Sequence, residues 1–176
     1  MIGKAKNRTQ TPAETTTQIV TFQVGTESFG LDIGAITEVI RPLPITSLPH
    51  MPQFIKGVIN LRGTIIPVVD LRERFGLADV RNNPRTMRMI ITRGAFAGKG
   101  TGSVGLLGLV VDSVQEVLDI PSSSIGPAPE GAMSARAVFI AGVARVADRL
   151  IILLDIGRVL SGEERTVLAE ADNVSA

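Results

Sequence analysis

The side chains best suited to catalysis or metal binding are scattered singly along the sequence. His50 is the only histidine, and Pro49 and Pro52 around it predict a surface turn and not a general base. The lack of a second His and of any Cys argues against most transition-metal sites and against Ser-His or Cys-His triads. Asp70 and Asp155 each stand directly before a short helical pattern, where a carboxylate caps free backbone amides. We interpret both as helix caps and not as a catalytic pair. The sequence therefore predicts no catalytic residue, no metal ligand and no cofactor-binding residue.

A glycine-rich stretch at 94–101 has some features of a phosphate-binding loop. Such a loop needs four residues between its first Gly and its Gly-Lys pair, with Ser or Thr directly after the Lys. Here only three residues separate Gly94 from Gly98, and Gly100 intrudes before Thr101. No helical pattern follows. We therefore predict a flexible hairpin loop.

Composition excludes several other classes of protein. The 176 residues carry a formal net charge of +1, and the six Phe are the only aromatic residues, which argues against nucleic-acid binding. The absence of Cys removes disulfides, thiolate nucleophiles and Cys-ligated zinc. The longest apolar run, at 106–111, is far shorter than the ~20 residues of a membrane-spanning helix, and no apolar stretch follows the basic start. We expect a soluble, cytoplasmic protein that does not insert into a membrane.

Short apolar runs rich in Val, Ile and Thr follow one another from Gln18 onward. Their spacing leaves no room for helical crossovers and predicts an all-β fold with minor helices. An internal repeat is also present, because residues 54–75 align without a gap to residues 139–160 with six of 22 positions identical. Upstream, 36–40 matches 114–118 in the same order.

The repeat predicts two related barrels in tandem. We place a flexible N-terminal tail at 1–17, the first barrel at 18–85, the second barrel at 86–162 and a polar C-terminal segment at 163–176. The strand at 19–24 then corresponds to the strand at 87–92. Five apolar residues are predicted to lie in the barrel cores: Phe22, Val58, Ile66, Phe139 and Ile151.

Two charged features, a matched pair of glutamates and one arginine, are not explained by folding alone. Glu38 and Glu116 fall at matching places inside apolar runs of the two repeats. Each is either on the solvent side of an alternating strand or a polar partner in an interface. Arg62 stands at the tip of a predicted strand-to-strand turn, in which Gly63 adopts the positive φ.

These segments resemble the CheW family of chemotaxis coupling proteins. The resemblance runs from about Gln18 to Leu160, and its most specific stretch is Phe-Ile-Lys-Gly-Val-Ile-Asn-Leu-Arg-Gly at 54–63. Further shared stretches are 20–25, 29–33, 36–40, 66–72, 108–112 and 125–129. The Gly-rich insertion at 94–103 departs from the family, which usually has a short turn there.

The resemblance implies a pair of five-stranded, SH3-like barrels and a non-enzymatic adaptor. It would join the cytoplasmic tips of transmembrane chemoreceptors to the regulatory domain of the histidine kinase CheA, in membrane-associated arrays. The alternative within the family is a coupler of a non-motility pathway that controls pili or development. We predict that the kinase contacts Ile36, Glu38, Gly57 and Arg62.

The receptor is predicted to bind a hydrophobic groove between the barrels. The residues assigned to it are Gly108, Val110, Val114 and Val117. A helix in such a groove needs aliphatic side chains at regular intervals, and these residues are suitable in type. For Gly108, close packing inside the barrel is the competing interpretation.

Overall fold

The fold is known from a computed structural model that describes residues 13–77, 83–97, 104–128 and 137–173. These residues form eleven β-strands, two α-helices and four short 3-10 turns. The strands are β1 Thr16–Val24, β2 Glu27–Asp32, β3 Ile36–Ile40, β4 Ile55–Leu61, β5 Thr64–Asp70, β6 Arg88–Ala97, β7 Val104–Val111, β8 Ser113–Pro121, β9 Ile125–Gly126, β10 Ile140–Val146 and β11 Arg149–Leu154. The helices are α1 Leu71–Arg74 and α2 Gly162–Asn173.

The strands form two sheets. One is six-stranded, in the order β8-β1-β2-β11-β10-β9, and the other is five-stranded, in the order β3-β6-β7-β5-β4. An isolated bridge from Thr46 to Val58 continues the second sheet in the place that β9 holds in the first. The all-β fold with minor helices and two pseudo-symmetric barrel-like sheets is thus confirmed.

The sheets do not follow the predicted division at residue 85. The hairpin β1–β2 belongs to the first repeat but pairs with β8 and β11 of the second, while β6–β7 pairs with β3 and β5 of the first. Each repeat therefore exchanges one hairpin with the other. Both exchanged hairpins join their new sheet through one parallel pairing, β2 with β11 and β7 with β5. The repeat shows which strands correspond, but hydrophobic pattern alone does not show which copy a hairpin joins.

Three hydrophobic clusters match this architecture. Each sheet encloses a small core of its own, around Ile66 in the five-stranded sheet and around Ile151 in the six-stranded sheet. A larger central core takes residues from both sheets, including Phe22 of β1 and Val69 of β5. Ile66 and Ile151 are equivalent residues of the repeat, and each lies in the small core of its own sheet. The halves are therefore joined by a common interior.

Four phenylalanine rings form a chain through the central core. The ring centroids of Phe22 and Phe29 lie 6.0 Å apart, those of Phe29 and Phe75 5.1 Å, and those of Phe75 and Phe139 5.8 Å. Such contacts add about 0.5–1.5 kcal/mol per pair to the burial of the rings. They connect the β1–β2 hairpin, the end of α1 and the start of β10.

Arg74 closes this chain of rings at the surface. Its guanidinium carbon lies 4.3 Å from the ring centroid of Phe54 and 4.6 Å from that of Phe139, which are equivalent residues of the repeat. The same side chain donates to the Val159 carbonyl at 2.9 Å and pairs with Glu164 of α2 at 3.3 Å. Arg74 thus connects α2 to the two equivalent phenylalanines of the repeat, Phe54 and Phe139.

The predicted core is confirmed at four of its five positions. Phe22, Ile66, Phe139 and Ile151 are buried, but Val58 is only half-buried. Burial along β4 alternates, and Val58 shares the less buried face with Lys56, so the prediction for Val58 was wrong.

The described parts of the two predicted terminal segments, 13–17 and 163–173, contain regular structure, and residues 1–12 and 174–176 lie outside the described part of the chain. Thr16 and Thr17 belong to β1, where they pair with Pro121 and Ile120, although they were assigned to the flexible tail. The polar C-terminal segment forms α2, whose Leu168 is buried in the central core. In the Gly-rich insertion, residues 94–97 extend β6, and residues 98–103 lie outside the described part of the chain.

Candidate protein-interaction surfaces

The residues first considered for catalysis have structural roles. The Asp70 carboxylate accepts hydrogen bonds from the Arg72 and Glu73 amides at 2.9 and 3.4 Å, and Asp155 accepts one from the Gly157 amide at 2.9 Å. Both are caps, as predicted. Burial raises the pKa of the Asp70 carboxyl above its usual value, although the two amides oppose that shift.

No group of three or more potential metal ligands is brought together within the described residues. His50 lies exposed in a turn with φ of 60°. Of the helices in the described ranges, none has the length and apolar character needed to cross a membrane.

The first surface is the pair formed by Glu38 and Arg62. Glu38 lies on β3 at one edge of the five-stranded sheet, and Arg62 lies at the tip of the β4–β5 hairpin. Their side chains form an ion pair, with 28% of the Glu38 side chain and 71% of the Arg62 side chain exposed. The sequence predicted both residues as partner contacts but did not predict that they contact each other.

Local backbone geometry positions Arg62. Arg62 and Gly63 have φ of 50° and 85°, as the type I′ turn of a two-residue hairpin requires. The Asn60 side chain accepts a hydrogen bond from the Gly63 amide at 2.8 Å and holds the turn closed. The guanidinium is thereby projected from a rigid tip across to β3.

The other two residues of the predicted kinase contact are less available. Ile36 is half-buried and packs against the central core. Gly57 is buried with φ of +138°, and a Cβ there would lie 2.0 Å from the Thr46 carbonyl oxygen. Glycine at this position is therefore required by the close approach of the Thr46–Ser47 backbone, which is a structural role.

A second ion pair on the other sheet corresponds to the first. Glu116 of β8, the equivalent of Glu38, pairs with Arg149 at the end of the β10–β11 hairpin. Sequence reasoning noted Glu116 but missed Arg149. The repeat alignment places Ala147 opposite Arg62, and Ala147 does share the positive φ of Arg62. The arginine stands two residues further on, so the alignment concealed the correspondence.

The predicted receptor groove is only partly at the surface. Gly108 and Val110 lie on β7, an inner strand between β6 and β5, and both are buried. A side chain at Gly108 would meet Met89 at 3.4 Å. These two assignments are corrected: both residues belong to the interior of the five-stranded sheet and offer no surface to a partner.

The β8 part of the predicted groove is more accessible. Val114 is half-buried against the central core, whereas Val117 is 52% exposed on the edge strand β8. Val39 holds the equivalent position on β3 and is 40% exposed. Each edge strand thus presents one exposed valine directly after its paired glutamate.

Comparison with known proteins agrees with this architecture. Residues 18–164 match the CheW-like domain. The chain belongs to the CheW family. It is accordingly related to chemotaxis scaffold or adaptor proteins, a class that is not known for catalysis.

Several CheW relatives match along nearly their whole length. The chemotaxis protein CheW of Klebsiella aerogenes is 34% identical over 90% of this chain and 88% of its own. Protein FrzA of Myxococcus xanthus is 30% identical over 84% and 88%. The crystal structure of the scaffolding protein TtCheW from Thermoanaerobacter tengcongensis has a TM-score of 0.73 and 36% identity, covering 85% of this chain and 97% of that one.

Proposed function

We propose that this CheW-family protein couples chemoreceptors to a CheA-type histidine kinase in membrane-associated arrays. The observation that carries the kinase half of the proposal is the Glu38–Arg62 pair. It places opposite charges at a rigid hairpin tip beside an edge strand, with most of the arginine open to solvent. A partner barrel with a complementary surface could engage this tip without rearranging the fold.

Reversing one charge of this pair should weaken kinase binding. In Glu38→Arg, the new arginine repels Arg62 and removes the acidic contact, so we expect an affinity for the kinase regulatory domain about tenfold lower or worse. Exposed ion pairs contribute about 0–1 kcal/mol to folding, so the melting temperature should change little. Calorimetric titration with the cognate kinase domain measures both the affinity and the stoichiometry.

The chain supplies a matched control for that change. Glu116→Arg makes the same substitution at the equivalent position of the other sheet, against Arg149. The kinase proposal requires Glu38→Arg to lower the affinity more than Glu116→Arg does. Equal effects, or no effect of Glu38→Arg, would remove β3 and the hairpin tip from the kinase contact.

The receptor half of the proposal rests on β8. With Gly108 and Val110 in the interior, the accessible part of the predicted groove is Val117, while Val114 of the same strand packs against the central core. An exposed aliphatic side chain on an edge strand suits the apolar face of a receptor helix. The contact is small, so stable coupling would require many receptors and kinases assembled together.

Val117→Lys should lower receptor binding and leave kinase binding unchanged. A lysine at this position places a charge against an apolar helix face, while its long side chain can remain in solvent without disturbing the sheet. Binding to receptor cytoplasmic fragments and to the kinase domain should be measured separately. Val39→Lys, at the equivalent exposed position, is the control for damage to an edge strand. Loss of kinase binding in Val117→Lys, or unchanged receptor affinity, would place the receptor elsewhere.

A further inference from the structure

An open cleft of about 550 Å³ lies at one end of the five-stranded sheet. It forms where the chain leaves β3 and where it enters β6. None of its lining residues belongs to the two surfaces described above. The lining consists of three arginines and three apolar residues: Arg41, Arg85, Arg88, Pro42, Pro84 and Met87.

The charge of this cleft is uncompensated. No carboxylate is among its lining residues, and within the described parts of the chain Arg41, Arg85 and Arg88 take part in no ion pair. Five other arginines of the described chain each pair with a carboxylate: Arg62, Arg72, Arg74, Arg149 and Arg158. Arg93, Arg145 and Arg165 of the described chain also take part in no ion pair, but they lie outside this cleft, which three such arginines line together.

Strand register places two of these charges at the same end of the sheet. Ile40, the last residue of β3, pairs with Met89 of β6 in an antiparallel ladder, and one further step of that ladder would set Arg41 opposite Arg88. Like charges opposite each other on neighbouring strands are destabilising. An anionic group bound between the two arginines would reduce that repulsion, so the cleft favours an anionic ligand.

The cleft is also preorganised. The Asn83 side chain accepts a hydrogen bond from the Arg85 amide at 3.0 Å, and the Asn83 carbonyl accepts one from the Thr86 amide at 3.1 Å. The Arg88 guanidinium donates to the Arg85 and Met87 carbonyls at 3.0 and 2.7 Å. These bonds fix the turn before β6 and direct Arg88 without using all of its donors.

We propose that this cleft binds an acidic peptide segment of a partner protein. The three guanidinium groups match carboxylate side chains, which they can hold by two parallel hydrogen bonds. Pro42, Pro84 and the half-buried Met87 supply an apolar surface for an aliphatic side chain between those carboxylates. No aromatic ring is among the described lining residues to stack on a nucleotide base, and the cleft volume greatly exceeds that of a single phosphate group.

A labelled, capped peptide of Glu-Glu-Leu repeats tests the proposal by fluorescence anisotropy with the full chain. We expect binding that weakens as salt is raised, because the contacts lie at a solvated surface. The double variant Arg41→Glu/Arg85→Glu should bind about tenfold more weakly. Arg85→Gln should lose less, and both should melt near the wild-type temperature because these side chains are exposed and outside the packed core.

Two controls keep the interpretation specific. A peptide with Gln in place of every Glu should not bind, and Arg93→Glu, a reversal at an exposed residue outside the cleft, should leave affinity within about twofold. Equal binding of the Gln peptide or equal loss in Arg93→Glu would overturn the proposal. It would also fail if pyrophosphate bound at the cleft while the acidic peptide did not.

Discussion

Replacing Phe139 with alanine should lower the free energy of unfolding by about 3–5 kcal/mol. Phe139 is 8% exposed and is the last of the four phenylalanines that contact one another in the central core. Its ring also contacts the Arg74 guanidinium. Its loss leaves a cavity and removes a cation–π contact at the same time. Urea denaturation, followed by circular dichroism because the chain has no Trp, measures the difference.

The neighbouring residue is the control for this change. Val138 is 59% exposed, so Val138→Ala should shift the free energy of unfolding by no more than about 0.5 kcal/mol. Because the central core is shared by both sheets, Phe139→Ala should still unfold in one transition at lower urea. A loss below about 1 kcal/mol, or two separate transitions, would contradict the shared core.

Gly57→Ala should be the second strongly destabilising change, at about 2–6 kcal/mol. The new Cβ would overlap the Thr46 carbonyl oxygen at 2.0 Å, and the backbone has φ of +138°, which alanine adopts only with strain. Overpacking and an unfavourable backbone region each cost about 1–3 kcal/mol. Thermal and urea denaturation give the magnitude.

Substitutions at two other glycines distinguish the cost of the steric overlap from the cost of the backbone strain. Gly63 has φ of +85°, and a Cβ added there would meet nothing within 4 Å, so Gly63→Ala should show the cost of φ alone. Gly142, the repeat equivalent of Gly57, would bring a Cβ to 3.0 Å from the Gly126 carbonyl and should cost less than Gly57. The expected order places Gly57 first. If Gly57→Ala is no more destabilising than Gly63→Ala, the close approach of Thr46 is not what requires glycine.

The sequence predicted the strands well because their signal is local. β5 is one of the short apolar runs rich in Val, Ile and Thr, and Asp70 and Asp155 cap the short helices that follow their strands, as their positions indicated. The repeat also predicted the correspondence of β4–β5 with β10–β11 correctly. What it could not show is the exchange of β1–β2 and β6–β7 between the copies, because both copies have the same apolar pattern.

The same limit applies to the candidate sites. Glu38 and Arg62 could be selected from strand alternation and turn position, but their mutual contact depends on the path of β3 beside the hairpin tip. Gly108 and Val110 have the composition of a groove, and only the placement of β7 between two strands shows that they face the interior. Residue type predicts what a surface could bind, whereas topology decides which residues form the surface.

Co-sedimentation is the most direct test of the proposed coupling. Membranes that contain the cognate chemoreceptor are mixed with the CheA-type kinase, with or without this protein, and the kinase in the pellet is measured. The account predicts that the protein raises the pelleted kinase, that Glu38→Arg lowers it while the protein itself still pellets, and that Val117→Lys leaves both in the supernatant. If the kinase pellets to the same extent with and without the protein, this chain does not couple the two partners.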